Sequence, residues 1–247
     1  MAGDLAGRRE LLRSLHVPGD PLVLPNAWDA ASARAVVAAG FPAVATTSGG
    51  VAAALGYEDH EGAPSPEMLA AAARIARAVD VPVTADAEAG YGLGADELVA
   101  ALKEAGVAGC NLEDTDHSTG AIRDPKEQAN WLRQVREADD ALVVNARIDV
   151  FLHGGAVQAE FVGPALERAH AYFEAGADCV YPILLSEADA IAAFVAEAGG
   201  PVNILAGGDA PSPQELARLG VARVSYGPRL YRDVMARFAD LVAAIAG

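Results

Sequence analysis

Eight short apolar runs, each preceded or followed by an alanine-rich amphipathic stretch, recur from one end of the chain to the other. No other feature of the sequence constrains the fold as much. The runs are Leu22–Leu24, Ala43–Thr47, Val83–Asp86, Cys110–Glu113, Leu142–Ala146, Cys179–Ile183, Val202–Leu205 and Arg223–Ser225. Between them lie helical patterns over Pro66–Val79, Ala95–Ala105, Pro125–Ala138, Pro164–Ala175 and Glu187–Glu197, with a last helix expected over Arg229–Ala246. Strands alternating with helices predict a parallel sheet joined by helical crossovers. Eight such units in 247 residues predict one closed (β/α)8 TIM barrel occupying residues 1–247 as a single domain. Ala39-Gly40, Ala105-Gly106, Ala175-Gly176 and Leu219-Gly220 each precede a strand, where glycine takes the left-handed conformation that stops a helix.

A barrel of this kind carries its chemistry on the loops after the C-terminal ends of its strands. Those positions hold Asn26, Trp28 and Asp29; Thr47, Ser48, Gly49 and Gly50; Asp86 and Glu88; Glu113 and Asp114; Asn145, Arg147 and Asp149; then Tyr181, Asn203, Ser225 and Tyr226. A barrel that served only as a scaffold would not need so many polar groups on one rim.

Three acids stand out. Asp86 and Glu88 are two apart and are expected to share a face of their strand, and Glu113 ends the neighbouring run. Together they form an oxygen-rich set suited to a hard cation, Mg²⁺ (or Mn²⁺), with some contacts made through water. The alternative is that they cap the following helix, but Gly90-Tyr91-Gly92 intervenes first. Arg147 ends an otherwise apolar strand, and its guanidinium can grip a carboxylate through two parallel hydrogen bonds. The alternative is an ion pair with Asp149 or Glu113, and the two roles are compatible.

Ser48, Gly49 and Gly50 form a small-residue turn whose backbone N–H groups can approach an oxyanion. Asp59 lies on a long connection and is a candidate base or orienting group. His117 sits in the polar segment Thr115–Pro125, a candidate lid, and is its acid/base candidate near neutral pH. Trp28, Tyr181 and Asn203 are the side chains expected to shape a substrate pocket.

The formal net charge of −16 argues against nucleic-acid and membrane-surface partners, both polyanionic. An anionic substrate must then be drawn by local charge. Cys110 and Cys179 fall in apolar runs and are expected to be buried, inert thiols, in keeping with a reducing cytoplasm. Asp4, Arg8, Arg9 and Glu10 near the N-terminus leave no apolar segment of the kind a signal peptide requires.

In order along the chain, Leu24-Pro25-Asn26-Ala27-Trp28-Asp29, Ser48-Gly49-Gly50, Leu55-Gly56-Tyr57-Glu58-Asp59, Asp86-Ala87-Glu88-Ala89-Gly90-Tyr91-Gly92, Leu112-Glu113-Asp114, Ala146-Arg147-Ile148-Asp149 and Ser225-Tyr226-Gly227-Pro228 resemble the isocitrate lyase/phosphoenolpyruvate mutase superfamily. The resemblance implies a (β/α)8 barrel that binds Mg²⁺ or Mn²⁺ and an α-keto acid or its enolate. It implies enzymes that make or break C–C or P–C bonds beside a carbonyl. By position it casts Asp86, Glu88 and Glu113 as the metal group, Asp59 as the loop acid near the ligand and Arg147 as the carboxylate-gripping arginine. It casts Ser48, Gly49 and Gly50 as the turn that holds the ligand's carboxylate and oxyanion. It also implies a homo-oligomer, dimer or tetramer, with exchange of a C-terminal helix as one route.

The chain departs from the family pattern in ways that narrow the expectation. The loop Asp116-His117-Ser118-Thr119-Gly120 has neither the cysteine of the isocitrate-type lyases nor the Lys-Lys-Asn of the mutase. Glu88 stands where aspartate is more usual. The expectation is a lyase-type enzyme cleaving a C–C bond of a small α-keto or α-hydroxy carboxylate. The alternatives are a P–C mutase or hydrolase and a barrel that binds a keto acid without turning it over.

Overall fold

The computed structural model describes residues 5–155 and 157–246; Asp4, named above, lies outside them. Its strands are β1 (Leu22–Leu24, resuming after Pro25 as Asn26–Ala27), β2 (Val44–Thr46), β3 (Val83–Asp86), β4 (Gly109–Glu113), β5 (Val143–Ile148), β6 (Cys179–Pro182), β7 (Asn203–Leu205) and β8 (Arg223–Ser225). Every pairing among them is parallel, and their order in space is their order in sequence.

Two seams close the ring. Leu22–Leu24 pairs with Arg223–Ser225, while Asn26–Ala27 pairs with Ala45 and Thr46, so β1 changes partner at Pro25. Proline has no N–H to give a ladder, which suits it to that break. Between β6 and β7 a Val180–Val202 bridge completes the circle. The predicted eight-stranded barrel is therefore present.

The helices follow from local chemistry. Asp124 accepts hydrogen bonds from the N–H groups of Lys126 and Glu127, with Pro125 in the first turn of the helix Pro125–Ala138. Ser212 and Glu215 form a reciprocal capping box before Pro213–Arg218. Gly40, Gly106, Gly176 and Gly220 all have positive φ, as the stop signals require.

Successive residues of a strand alternate between the barrel interior and the helical layer. Leu98, Leu102, Leu132, Ile148 and Phe194 are fully buried in the main core. Helix Leu5–Ser14, which the periodicity argument did not single out, packs on the N-terminal end of the barrel. There Leu12 is buried with Leu22, Leu24, Ala43, Ala45 and Val143. Cys110 and Cys179 are free and buried, and burial pushes both thiols up to about 12. Among the described residues no helix is long and apolar enough to cross a membrane.

Candidate active site at the C-terminal end of the barrel

Three stretches of chain meet over the strand ends. In the first, β2 runs through Thr47 into the helix Ser48–Leu55, with Thr47 as its N-cap residue. Ser48, Gly49 and Gly50 are thus the first turn of a helix, a correction to the expected turn. The unpaired N–H groups of a helix start carry the positive end of its dipole, so the capacity to face an oxyanion is kept. The Ser48 N–H donates to Asp86 Oδ2 at 3.0 Å. Gly49 is required by close approach: a Cβ there would lie 2.6 Å from Asp59 Oδ2. A Cβ on Gly50 would lie 3.3 Å from both Trp28 Cβ and Tyr231 Cβ.

The second stretch follows β3. The strand ends at Asp86, and Glu88 has φ of +49°, so strand alternation does not place the two acids on one face. This corrects the expectation of a ready-made carboxylate pair. Glu88 is buried and its Oε2 accepts the Glu61 N–H at 2.5 Å. Burial pushes its carboxyl up to about 8, further helped by the charges of Asp86, Asp59 and Glu113.

The third stretch follows β4 and β5. Glu113 pairs with Arg147 Nη1 through Oε2 and with His117 Nε2 through Oε1. Burial raises its pKa while those two partners pull it down. Arg147 also donates from Nε and Nη2 to Asp149 at 2.6 and 3.0 Å. Burial disfavours its cationic form, yet the charges of Asp149 and Glu113 win and hold it protonated. The segment expected to be a lid contains a short hairpin, Thr115–Asp116 against Ala121–Ile122. Within it the bond to Glu113 raises the His117 pKa, and the His60 ring lies 5.3 Å from that of His117.

These elements enclose a cavity of about 130 Å³. Among the predicted residues Ser48, Asp59, Asp86, Arg147 and Tyr181 line it, and so do Asn26, His60, Asn111 and Ser225. Gly49, Glu88, Glu113 and His117 stand behind that wall, in contact with or close to residues on it. Trp28, Gly50 and Asn203 do not reach it: Trp28 packs edge-on against Tyr231, and the buried Asn203 Oδ1 accepts from Ser225 Oγ. A larger groove of about 550 Å³ lies on the outer surface between helices Ser65–Ala78 and Ala95–Glu104, remote from the strand ends and rich in alanine. Chemistry, not volume, marks the site.

Two oxygens bear on whether a cation fits. Asp86 Oδ1 and Asp59 Oδ1 are buried and have no hydrogen-bond partner among the described residues, and both residues face the cavity. No group of three acid, histidine or cysteine side chains converges as a ligand cage among the described residues. A hard cation that keeps most of its water needs only one or two direct carboxylates. Asp86 fits that description, whereas Glu88 and Glu113 stand behind the wall with oxygens already taken by the Glu61 N–H and by Arg147 and His117.

The residues that the motif argument missed share a simple signal. Counting back by two from Glu113 and Ser225 gives Asn111 and Arg223, both buried and inward-facing, as the same step from Arg147 gives Asn145, already counted on the rim. His60 and Glu61 had no such signal, because both lie on an irregular connection with positive φ.

The comparisons agree with the architecture. The family model for phosphoenolpyruvate phosphomutase matches residues 12–246. A crystal structure from Burkholderia cenocepacia J2315, provisionally titled a phosphonomutase, superposes with a TM-score of 0.92 at 42% identity, covering 96% of this chain and 99% of that one. The 2-methylisocitrate lyase of Bacillus subtilis is 32% identical over 212 residues, spanning 82% of this chain and 67% of the lyase. A phosphonopyruvate hydrolase complexed with oxalate and Mg²⁺ superposes with a TM-score of 0.85 at 25% identity, covering 97% of this chain and 87% of that one. Since the family model spans nearly the whole chain and a relative of 32% identity covers 82% of it, the chain belongs to the isocitrate lyase/phosphoenolpyruvate mutase superfamily, whose named members here are lyases, mutases and hydrolases.

Proposed function

We propose that the protein is a Mg²⁺- or Mn²⁺-dependent lyase that cleaves a C–C bond of a small α-keto or α-hydroxy carboxylate. The observation that carries this is the buried, unpartnered Oδ1 of Asp86, which shares one small cavity with the Arg147 guanidinium. When bound, the cation supplies Lewis-acid polarisation of the substrate's oxygen. Asp86 would hold it, with Glu88 and Glu113 assisting through water. Arg147, oriented by Asp149 and Glu113, grips the carboxylate. As the C–C bond breaks, its electron pair settles on the keto oxygen as an enolate. The helix N-terminus at Ser48, Gly49 and Gly50 favours that negative charge. Asp59 lies on the cavity wall and delivers or takes the proton; His117, tied to Glu113, is the second candidate for that step. Tyr181 shapes the wall opposite.

The presence of a phosphonopyruvate hydrolase among the superposed structures supports P–C cleavage as the second reading. A panel of 2-oxo and 2-hydroxy diacids plus phosphonopyruvate, followed by proton and phosphorus NMR with Mg²⁺ or with EDTA, separates the two. Metal-dependent loss of a keto diacid is expected, and Asp86→Ala should abolish it. Faster turnover of phosphonopyruvate would reverse the order, and full activity in that variant would overturn the site. Binding of a keto acid without turnover would leave a non-catalytic barrel.

The same reading includes a homo-oligomer. Helix Arg229–Ala246 buries none of its residues, and Val234, Phe238, Leu241 and Ile245 form one exposed apolar stripe along it. Such a stripe marks a contact surface for another chain.

A further inference from the structure

The floor of the cavity contains an amide whose orientation is fixed from below. Asn111 Oδ1 accepts from Asn145 Nδ2 at 2.8 Å and from Arg223 Nη2 at 3.1 Å. A guanidinium has donors and no acceptor, so the atom facing it must be the amide oxygen. The amide nitrogen therefore points away from Arg223. Asn111 lines the cavity, and its Nδ2 makes no hydrogen bond among the described residues.

Arg223 is an unusual residue to find there. It is 1% exposed, and its Nε and Nη1 have no partner among the described residues. A buried guanidinium with a single neutral acceptor costs stability that methionine or leucine would not. Apolar packing therefore does not explain it, whereas pinning one amide does. Arg223 rises from the start of β8 beneath the floor, in a layer that Asn145 shares.

We propose that Asn111 contacts the ligand, presenting an N–H donor that selects an oxygen acceptor on it, and that Arg223 is a positioning residue acting through Asn111. Together with Arg147 this gives the cavity two donor sites for one small oxyacid, with Asn111 rejecting ligands that offer an N–H or a methyl group there. The proposal deepens the keto-acid reading above and rests on it.

The test is oxalate binding by calorimetry in Mg²⁺ buffer, beside Mg²⁺ binding alone and thermal melting. Asn111→Ala is expected to weaken oxalate at least about tenfold, the loss of one buried hydrogen bond to a charged group, with Mg²⁺ affinity within about threefold. Arg223→Met is expected to weaken oxalate similarly and to melt no lower than the parent, whereas Arg223→Lys, which keeps one donor, restores part of the loss. The double variant should bind no worse than Asn111→Ala, because residues acting through one another are not additive. Additive losses would show that Arg223 acts on the ligand by charge and would overturn the pinning. Unchanged oxalate affinity in Asn111→Ala would overturn the contact. If the parent protein binds Mg²⁺ but no oxalate, the keto-acid reading itself fails and this proposal with it.

Discussion

The two ends of the barrel treat charge in opposite ways. At the N-terminal end the part-buried acids Asp139 and Asp178 are both answered by arginines. Asp178 accepts from Arg13 at 2.8 Å, from Arg136 at 2.6 Å and from the Val144 N–H at 2.8 Å, and Asp139 accepts from Arg9 at 2.7 Å. At the C-terminal end Arg147 serves both Glu113 and Asp149, while Asp86, Glu88 and Asp59 have no cation within ion-pair reach among the described residues. Matched charges hold a structure together. Unmatched buried acids cost stability and persist where something else, a cation or a substrate, completes them.

The contrast can be broken from its stable side first. Asp178→Ala takes from Arg13 and Arg136 their only carboxylate among the described residues, leaving them backbone carbonyls alone, and removes the side-chain acceptor of the Val144 N–H. We expect it to cost about 3 kcal/mol, the range for removing one partner of a part-buried charge network. Urea unfolding should show that loss, with kcat of the folded protein unchanged. Removal of Asp86 at the other end should do the reverse, leaving the melting temperature level or higher. A fall in stability there as large as that for Asp178→Ala would erase the distinction.

His16 sharpens the comparison by pH. It is buried at the N-terminal end, where its Nδ1 donates to the Leu12 carbonyl at 2.8 Å. Burial, and then the charge of Arg223, depress its pKa from 6.5 to about 4, against the opposing pull of Asp178. The unfolded chain therefore takes up a proton between pH 6.5 and 4 that the folded chain refuses, and stability falls as pH falls through that window. The full effect is at most about 3 kcal/mol. Stability curves from pH 7 to 4 should be flatter in His16→Gln by up to that amount, and parallel curves would exclude the effect. The smallest change lies back at the site. In Gly49→Ala the new Cβ must displace the Asp59 carboxylate, so we expect KM or kcat to suffer about tenfold. The melting temperature should move by only about 2 °C.

The barrel itself was legible because its signals are local and repeated. Apolar runs, Ala-Gly stops and the Pro125 and Pro213 helix starts each act within a few residues. Three strands, Leu22–Leu24, Val83–Asp86 and Arg223–Ser225, begin and end where the pattern placed them. The site was legible in its membership more than in its geometry. Asp86, Arg147, Ser48 and Tyr181 could be placed at the cavity because strand ends in a barrel all point one way, and Asp59 because its loop resembles the family's. Glu88 could not be placed correctly, because the alternation rule stops where the backbone turns to positive φ. Trp28 and Asn203 were assigned inward by position alone. Their partners, Tyr231 and Ser225, lie about 200 and 20 residues away, and spacing along the chain carries no record of either contact.

The change of partner at Pro25 has a consequence for how the protein acquires its chemistry. Asn26 Oδ1 accepts the N–H groups of Tyr226 and Gly227 at 2.8 and 3.0 Å, across 200 residues of chain. Asn26, Ser225, Gly227 and Pro228 are all cavity wall. Contacts of such separation carry a large loop-closure cost. A chain folded through β7 would have its acids assembled but one side of the cavity missing, open to water and unable to exclude it. The cavity wall thus needs both ends of the chain, and it is whole only where the last strand is seated beside the first.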